Sequence, residues 1–497
     1  MTGRVGGRGS GGVTTRAIIG AVAVVAAGLA IYQLSRPGLL FGVSEYDDGA
    51  YFGSAVRLAN GAMPYRDFVL VHPPGFELLA SPLALLSRLI GTRDALAAIR
   101  LFMPLVAAAN VVLVGALVSH RGRLATLVAA GIMAVFPAEV IATHTVLLEP
   151  LLDVFCLLGA VLVFDRGRFA ASRVRLLAGG AAFGFAGAIK VWAIIPMLVV
   201  AIVCLPVVRN RLLPYLGGVV AGFAIPTLPF FIVAPGAFAH DVLATQLRRI
   251  GASGRIGMAH RLADLTGTTS VAGGAVSITV LALVACLVVA AFVAAHRLPS
   301  RFEWFAIGSA VAVGALLLTP AQFYSHYAVF FAPFLAVVVG IAAGLVFDRR
   351  PLRAALAVAV VALAALFANQ VHLVAAESAR DVAPAVDAVI PKGACALADS
   401  SADLITANRF VSAIPGCTKI ADPYGTTIAY GGKTPAALVV WRGAFAHADY
   451  LVLYSLRNGR VYLAPSLRAE LADQFHLVRS GGLLIYVRNG FPTAAHA

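Results

Sequence analysis

The chain has 497 residues, of which 60% are hydrophobic and 12% are charged, and its mean hydropathy is +0.89. Because soluble domains average about 25% charged residues, this composition excludes a soluble globular enzyme, a disordered protein and a small disulfide-rich module. The net charge of +15 would suggest a nucleic-acid partner in a soluble protein, but in a membrane protein Lys and Arg accumulate in the loops between spans.

Hydrophobic runs long enough to cross about 30 Å of hydrocarbon recur between residues 17 and 372 and predict an α-helical polytopic membrane domain. The first run follows a basic tail, residues 1–16, that resembles the start of a signal peptide. Since further spans follow, we interpret this run as a retained anchor, although the sequence leaves cleavage open. We predict eleven spans, at residues 17–35, 97–119, 124–142, 150–164, 176–190, 191–208, 212–233, 271–295, 303–320, 327–347 and 354–372.

The positive residues predict the orientation of these spans. The short loops after the even-numbered spans carry thirteen arginines, and the basic tail adds three. The positive-inside rule makes this side cytoplasmic, so an odd number of spans places residues 373–497 outside a cytoplasmic membrane. That segment carries eleven Lys and Arg against nine Asp and Glu, and we therefore expect no nucleic-acid partner.

The first outer loop, residues 36–96, contains an unusual pair of carboxylates. Asp47 and Asp48 are adjacent just outside the first span, and Tyr51 and His72 follow in the same loop. The pair could cap the helix that begins there, but a cap needs only one carboxylate. The other could then act as a general base, or the two together could hold a divalent cation.

The turn Asn60-Gly61 and the segment Pro73-Pro74 complete this loop. This order of features resembles the GT-C membrane glycosyltransferases, in which an acidic pair after the first span is followed by a Tyr, a glycine turn and a Pro-Pro segment. The branch with the lipid A aminoarabinose transferase and the protein O-mannosyltransferases is the most similar. The similarity follows the order of features over residues 17–372 and is dense only in 44–80. It implies transfer of a sugar from a polyprenyl-phosphate donor to an acceptor outside the cytoplasm, with Asp47 as the catalytic base. Val71 and His72 stand where the family often has an acid and a Lys, so donor specificity does not carry over.

The next outer loop, residues 143–149, adds His144 and Glu149. Glu149 lies at a predicted helix start, where capping would explain a carboxylate equally well. Alternatively, both side chains face the first-loop acids across a cavity, and Glu149 resembles the family's second acidic position. We expect His72, Tyr51 and His144 to position the acceptor.

Basic and aromatic residues at the outer ends of later spans could bind the phosphate of a lipid donor, because Arg binds phosphate bidentately. Contact with anionic head groups or an interfacial aromatic belt would explain the same residues. The last two of the group resemble the family's phosphate-contacting position late in the membrane part. The candidates are Arg248, Arg249, Arg255, Arg261, Lys190, Tyr324 and His326.

Residues 373–497 change from apolar runs to short alternating elements, which predict a small extracytoplasmic α/β domain. Strands are predicted near 393–399 and 450–454, and a hairpin is predicted at 475–488 with strands 475–479 and 483–486. Helices are predicted at 401–411, 434–447 and 465–474. Cys395 and Cys417 are the only cysteines outside the predicted spans, and an oxidising compartment favours a disulfide between them.

Together these features predict an inverting GT-C-type glycosyltransferase with an outward-facing site. Asp47 would deprotonate the acceptor hydroxyl, and Asp48 and Glu149 would position the acceptor or hold a divalent cation. The acceptor would be a glycan, lipid or protein of the cell envelope. The alternative is a transporter or flippase of a lipid-linked sugar, which typically shows internal repeats that this sequence lacks. A third hypothesis is a structural protein whose tail recruits a partner.

Overall fold

The computed structural model describes residues 10–204, 209–248, 256–268, 274–319, 322–347, 352–479 and 482–494. Its first half is helical apart from one short hairpin, whose two strands have two residues each. The elements are α1 (Ser10–Leu34), α2 (Tyr46–Ala59), α3 (Gly75–Ile90), α4 (Thr92–Val118), α5 (Arg123–Val135), α6 (Pro137–Ala142), α7 (Leu148–Val163), β1 (Phe164–Asp165), β2 (Arg168–Phe169), α8 (Arg173–Ile189), α9 (Ile194–Cys204) and α10 (Arg209–Val233).

The second half begins with further helices and ends in a small mixed region. Its elements are α11 (Pro235–Ala239), α12 (Thr245–Arg248), α13 (Met258–Thr266), α14 (Gly274–Ala294), α15 (Arg301–Leu318), α16 (Ala332–Phe347), α17 (Leu352–Ala375), α18 (Ala383–Asp387), β3 (Ala396–Ala398), α19 (Ser401–Thr406), α20 (Pro423–Ala429), α21 (Pro435–His447), β4 (Tyr450–Leu453), α22 (Pro465–Gln474), β5 (Phe475–Arg479) and β6 (Leu484–Arg488).

The helices bear out a polytopic membrane protein. Among the described residues, seven helices are long and apolar enough to cross a membrane: Thr14–Leu34, Thr92–Arg121, Arg211–Val233, Gly274–Ala294, Arg301–Leu318, Ser325–Val346 and Leu352–Ala375. The four other predicted spans coincide with the shorter helices α5 to α9. The number of spans, eleven in the sequence, therefore stays a prediction.

Glycines determine how closely two of these helices approach. A Cβ atom on Gly180 or Gly184 of α8 would collide with the carbonyl oxygens of Tyr215 or Val219 on α10. Small residues let helix backbones pack closely in a membrane. This packing fixes the end of α8, where Lys190 follows.

The C-terminal part, which we define as the described residues after α17, contains the predicted strands and helices. Its four-stranded sheet has the order β3-β4-β6-β5, with β3 parallel to β4 and the other pairs antiparallel. A separate apolar cluster around the fully buried Trp441 packs on the sheet. Cys395 and Cys417 are joined by a disulfide.

The C-terminal part packs directly on α2. A Cβ on Gly49 would meet the backbone of Ala402 in α19, so these two helices lie in close contact. The Thr92 hydroxyl at the start of α4 also donates to the carbonyl oxygen of Ile405, at 2.7 Å. The first turn of α2 is therefore enclosed between the membrane part and the C-terminal part.

Candidate active site

The predicted acidic pair lies in the first turn of α2, but neither carboxylate caps it. The N-cap residue is Glu45, and no side-chain cap hydrogen bond is present at this helix start. Successive side chains on a helix diverge by about 100°, so Tyr46, Asp47 and Asp48 point to three different surroundings.

Asp48 is fully buried and belongs to a structural ion pair. Its Oδ2 accepts from Nε of Arg100 at 3.0 Å, and its Oδ1 accepts from the N–H of Val146 at 3.0 Å. Arg100 also donates to the carbonyl oxygens of Leu40 and Gly42, at 2.8 and 2.9 Å. The pair thus joins α2 to α4 and to the loop before α7.

Asp47 faces a different group of charged residues. His326 Nε2 lies 3.6 Å from Asp47 Oδ2 and 4.0 Å from Glu149 Oε1, and Lys190 forms an ion pair with Glu149. Burial raises the pKa of Asp47 to about 6, and the nearby His326 opposes this rise. The structure therefore brings together four of the predicted residues, from four separate segments of the chain.

Aromatic rings surround this charged group. Lys190 Nζ lies 3.6 Å from the ring centre of Trp192 and 4.4 Å from that of Tyr327, which is the geometry of a cation–π interaction. The ring of Tyr324 stacks parallel to His326, with centroids 5.7 Å apart. Lys190 and Glu149 are buried behind His326, so they form the support of the site rather than its surface.

A cavity of about 690 Å³ opens in front of Asp47 and His326. Its membrane-side wall comes from the first turn of α2, from His72 and from Tyr324–Tyr327. Its opposite wall comes from residues 422–424 and 454–460 of the C-terminal part. Both parts of the chain therefore enclose the same space.

The three predicted acceptor-positioning residues are separated. Tyr51 and His72 line the cavity and contact each other edge to face, with ring centroids 5.7 Å apart. His144 lies instead beside the buried Asp48 and Arg100, where burial lowers its pKa to about 4. His144 therefore lies with the structural ion pair and not on the cavity wall.

The predicted arginine loop does not meet the cavity in the described residues. Arg261 is buried and donates to the carbonyl oxygens of Ile256 and Leu317, at 3.1 and 3.2 Å. Arg249, Arg255 and the side chain of Arg248 lie outside the described residues.

A divalent cation shared by Asp47 and Asp48 does not fit this arrangement. Both Asp48 oxygens accept hydrogen bonds on the side away from the cavity, so binding a cation would require release of Arg100. Over the described ranges, no group of three His, Cys, Asp or Glu side chains has a metal-binding arrangement.

Four residues that the sequence did not single out complete the cavity. The Tyr46 hydroxyl donates to Asp422 Oδ1 at 2.6 Å and accepts from the N–H of Tyr424 at 2.7 Å. Arg460 covers the Tyr46 ring, with its guanidinium carbon 3.9 Å from the ring centre. Only Tyr46 carried a signal, since it adjoins the acidic pair; the other three lie in a tail without a recognisable motif.

Solved structures with the same overall arrangement come from bacteria and archaea. ArnT from Cupriavidus metallidurans, bound to undecaprenyl phosphate, superposes with a TM-score of 0.61 at 16% identity, over 95% of this chain and 97% of that one. The oligosaccharyltransferase AglB from Archaeoglobus fulgidus, in complex with an inhibitory peptide and a dolichol-phosphate, gives 0.52 at 13% identity, over 87% and 69%. No protein-family model and no curated protein sequence matches the chain.

Proposed function

Because this chain has the fold of the GT-C membrane glycosyltransferases, we propose that it transfers a sugar from a polyprenyl-phosphate donor to an acceptor in the cell envelope. The observation that carries the proposal is the position of Asp47 beside His326 on the wall of a cavity lined by both parts of the chain. The lipid phosphates bound by ArnT and AglB support the choice of donor class.

The reaction is a single displacement with inversion at the anomeric carbon. Asp47 accepts the proton of the acceptor hydroxyl as its oxygen forms the new bond to this carbon. The bond between the anomeric carbon and the phosphate oxygen breaks, and its electron pair leaves with the lipid phosphate. The net products are the glycosylated acceptor and the polyprenyl phosphate.

The charged residues around Asp47 prepare it for this role. His326 lies between Asp47 and Glu149, and its charge, when the imidazole is protonated, favours the ionised form of both carboxylates. The buried Lys190 neutralises Glu149 and is fixed by the rings of Trp192 and Tyr327. We assign Glu149 and Lys190 to positioning His326, and Asp48 to holding α2 in place.

The same proposal places the cavity on the outer face of a cytoplasmic membrane, with the C-terminal part outside. Thirteen arginines in the short loops on the other side support this orientation. The disulfide between Cys395 and Cys417 also favours an oxidising compartment for the C-terminal part.

The test is transfer by the purified protein in detergent, with radiolabelled polyprenyl-phosphate sugars and envelope acceptors. Asp47→Asn should lower the rate by about 100-fold or more, since general-base catalysis contributes about 10²–10⁴, while the thermal unfolding temperature stays near that of the wild type. Asp165→Asn, at an exposed carboxylate in a predicted cytoplasmic loop, is the matched control. Near-normal transfer by Asp47→Asn would contradict the assignment, and lipid movement across proteoliposomes without transfer would favour the flippase alternative.

A further inference from the structure

The loop between β4 and α22 is held at both ends by one buried carboxylate. Asp399, directly after β3, accepts from the N–H of Tyr454 through Oδ2 and from the N–H of Val461 through Oδ1, each at 2.8 Å. The Tyr454 hydroxyl donates to Asp403 at 2.7 Å. A loop with its two ends fixed in this way has a defined path over the cavity.

Glycine at position 459 is required by this path. A Cβ there would lie 2.5 Å from Asp399 Oδ2 and 2.8 Å from the carbonyl oxygen of Ser455, both closer than van der Waals contact. The next residue, Arg460, then lies against the Tyr46 ring on the cavity wall.

Arg460 forms no salt bridge among the described residues, and its charge acts only at longer range on the carboxylates of Glu45 and Asp403. Over the described residues, no carboxylate oxygen lies within 4 Å of its guanidinium nitrogens, and no other Arg or Lys lines the cavity. Its aromatic neighbour Tyr46 holds the guanidinium by a cation–π contact and is fixed in turn by Asp422. The five donors of the guanidinium therefore remain available to a ligand.

The chemistry of the remaining wall indicates what that ligand is. Asp47, Glu45 and Asp422 line the same cavity, so within the described wall Arg460 is the one Arg or Lys side chain with which an anionic ligand can pair. A phosphate matches the planar, bidentate donor pattern of Arg. Arg261, predicted for this role, is engaged with backbone carbonyls instead.

We propose that Arg460, on the loop fixed by Asp399, is an anion-binding residue of the active site that binds a phosphate group. This inference rests on the proposed glycosyltransferase function, and we assign the phosphate to the lipid donor and its polyprenyl-phosphate product. The C-terminal part then supplies a side chain that binds the substrate, in addition to forming one wall of the cavity.

The test compares binding of undecaprenyl phosphate with binding of undecaprenol, which lacks the phosphate, to the full-length protein in detergent. Arg460→Ala should weaken binding of undecaprenyl phosphate about tenfold or more, because the variant loses charge-assisted hydrogen bonds to the phosphate. Binding of undecaprenol should not change, and Arg460→Lys should retain an intermediate affinity. Arg457→Ala is the matched control, since Arg457 is exposed on the same loop and does not line the cavity.

Steady-state transfer separates the two sources of phosphate. A higher KM for the donor with Arg460→Ala assigns the site to the donor phosphate, whereas a higher KM for a phosphate-bearing acceptor alone assigns it to the acceptor. Equal binding and equal KM values in Arg460→Ala and wild type would overturn the inference. Because the binding measurement needs no turnover, a wild type that binds undecaprenyl phosphate through Arg460 without transferring sugar would refute only the proposed function.

Discussion

Asp47 and Asp48 are chemically identical neighbours with different surroundings, and the surroundings decide what each can do. The Asp48 carboxylate is neutralised by Arg100 and accepts three hydrogen bonds in the interior. The Asp47 carboxylate is about one-quarter exposed, and its ion-pair partner among the described residues is a histidine at 3.6 Å. A proton acceptor must reach its substrate, so only Asp47 meets this requirement.

The pKa of Asp47, raised to about 6 by burial, predicts the pH dependence of transfer. The base must be ionised to accept a proton, so kcat/KM should be constant above about pH 7 and fall about tenfold per unit below pH 6. The check is a profile of kcat/KM from pH 4.5 to 8.5, with protein integrity measured at each pH. A rate that stays constant down to pH 5 would rule out Asp47 as the titrating base.

At the scale of the elements, the Asp48–Arg100 pair fixes α2 to α4. Removing one partner of a buried pair leaves a buried charge and costs about 3–5 kcal/mol, so Arg100→Ala should lower the thermal unfolding temperature strongly. Arg93→Ala is the control on the same helix, because the Arg93–Asp381 pair is partly exposed and such pairs contribute about 0–1 kcal/mol. Equal unfolding temperatures for the two variants would show that the buried pair does not stabilise the fold.

The elements themselves were largely predictable, because their signal is local. Apolar runs and Arg-rich loops predicted a helix at each span, and the strands at 396–398, 450–453, 475–479 and 484–488 followed from short alternating runs. The resemblance to the GT-C fold is confirmed by the solved structures. The number of spans was not fixed, since α5 to α9 are shorter than a typical crossing.

The site was only partly predictable because its contacts join distant segments. Asp47 and His326 lie 279 positions apart (326 − 47) and Tyr46 and Asp422 lie 376 apart, and no periodicity records such a pairing. Arg460 stands in a polar tail where its neighbours give no signal. By contrast, Arg261 was predicted to bind phosphate because it lies near a predicted outer boundary, but its guanidinium donates to a backbone carbonyl oxygen.

For the whole molecule, the disulfide of the C-terminal part closes a loop of 22 residues. Cross-linking a loop of this size contributes about 3 kcal/mol in the chain-entropy account. The double variant Cys395→Ser, Cys417→Ser should therefore unfold at a lower temperature, and reductant should lower that of the wild type but not of the variant. Cys286→Ser, at an exposed free cysteine, is the control. A wild type insensitive to reductant would contradict this prediction.

The first turn of α2 connects the molecule in three directions with three consecutive side chains: Tyr46 to the C-terminal part, Asp47 to the cavity and Asp48 to α4. One residue corresponds to about 100° of helix rotation. Inserting or deleting a single residue at the start of this turn would therefore rotate all three side chains away from their present partners at once. Substitutions can be accommodated one at a time, but a change of helical register cannot. We therefore expect related sequences to differ in length before residue 45 or after the first turn of α2, but not within that turn.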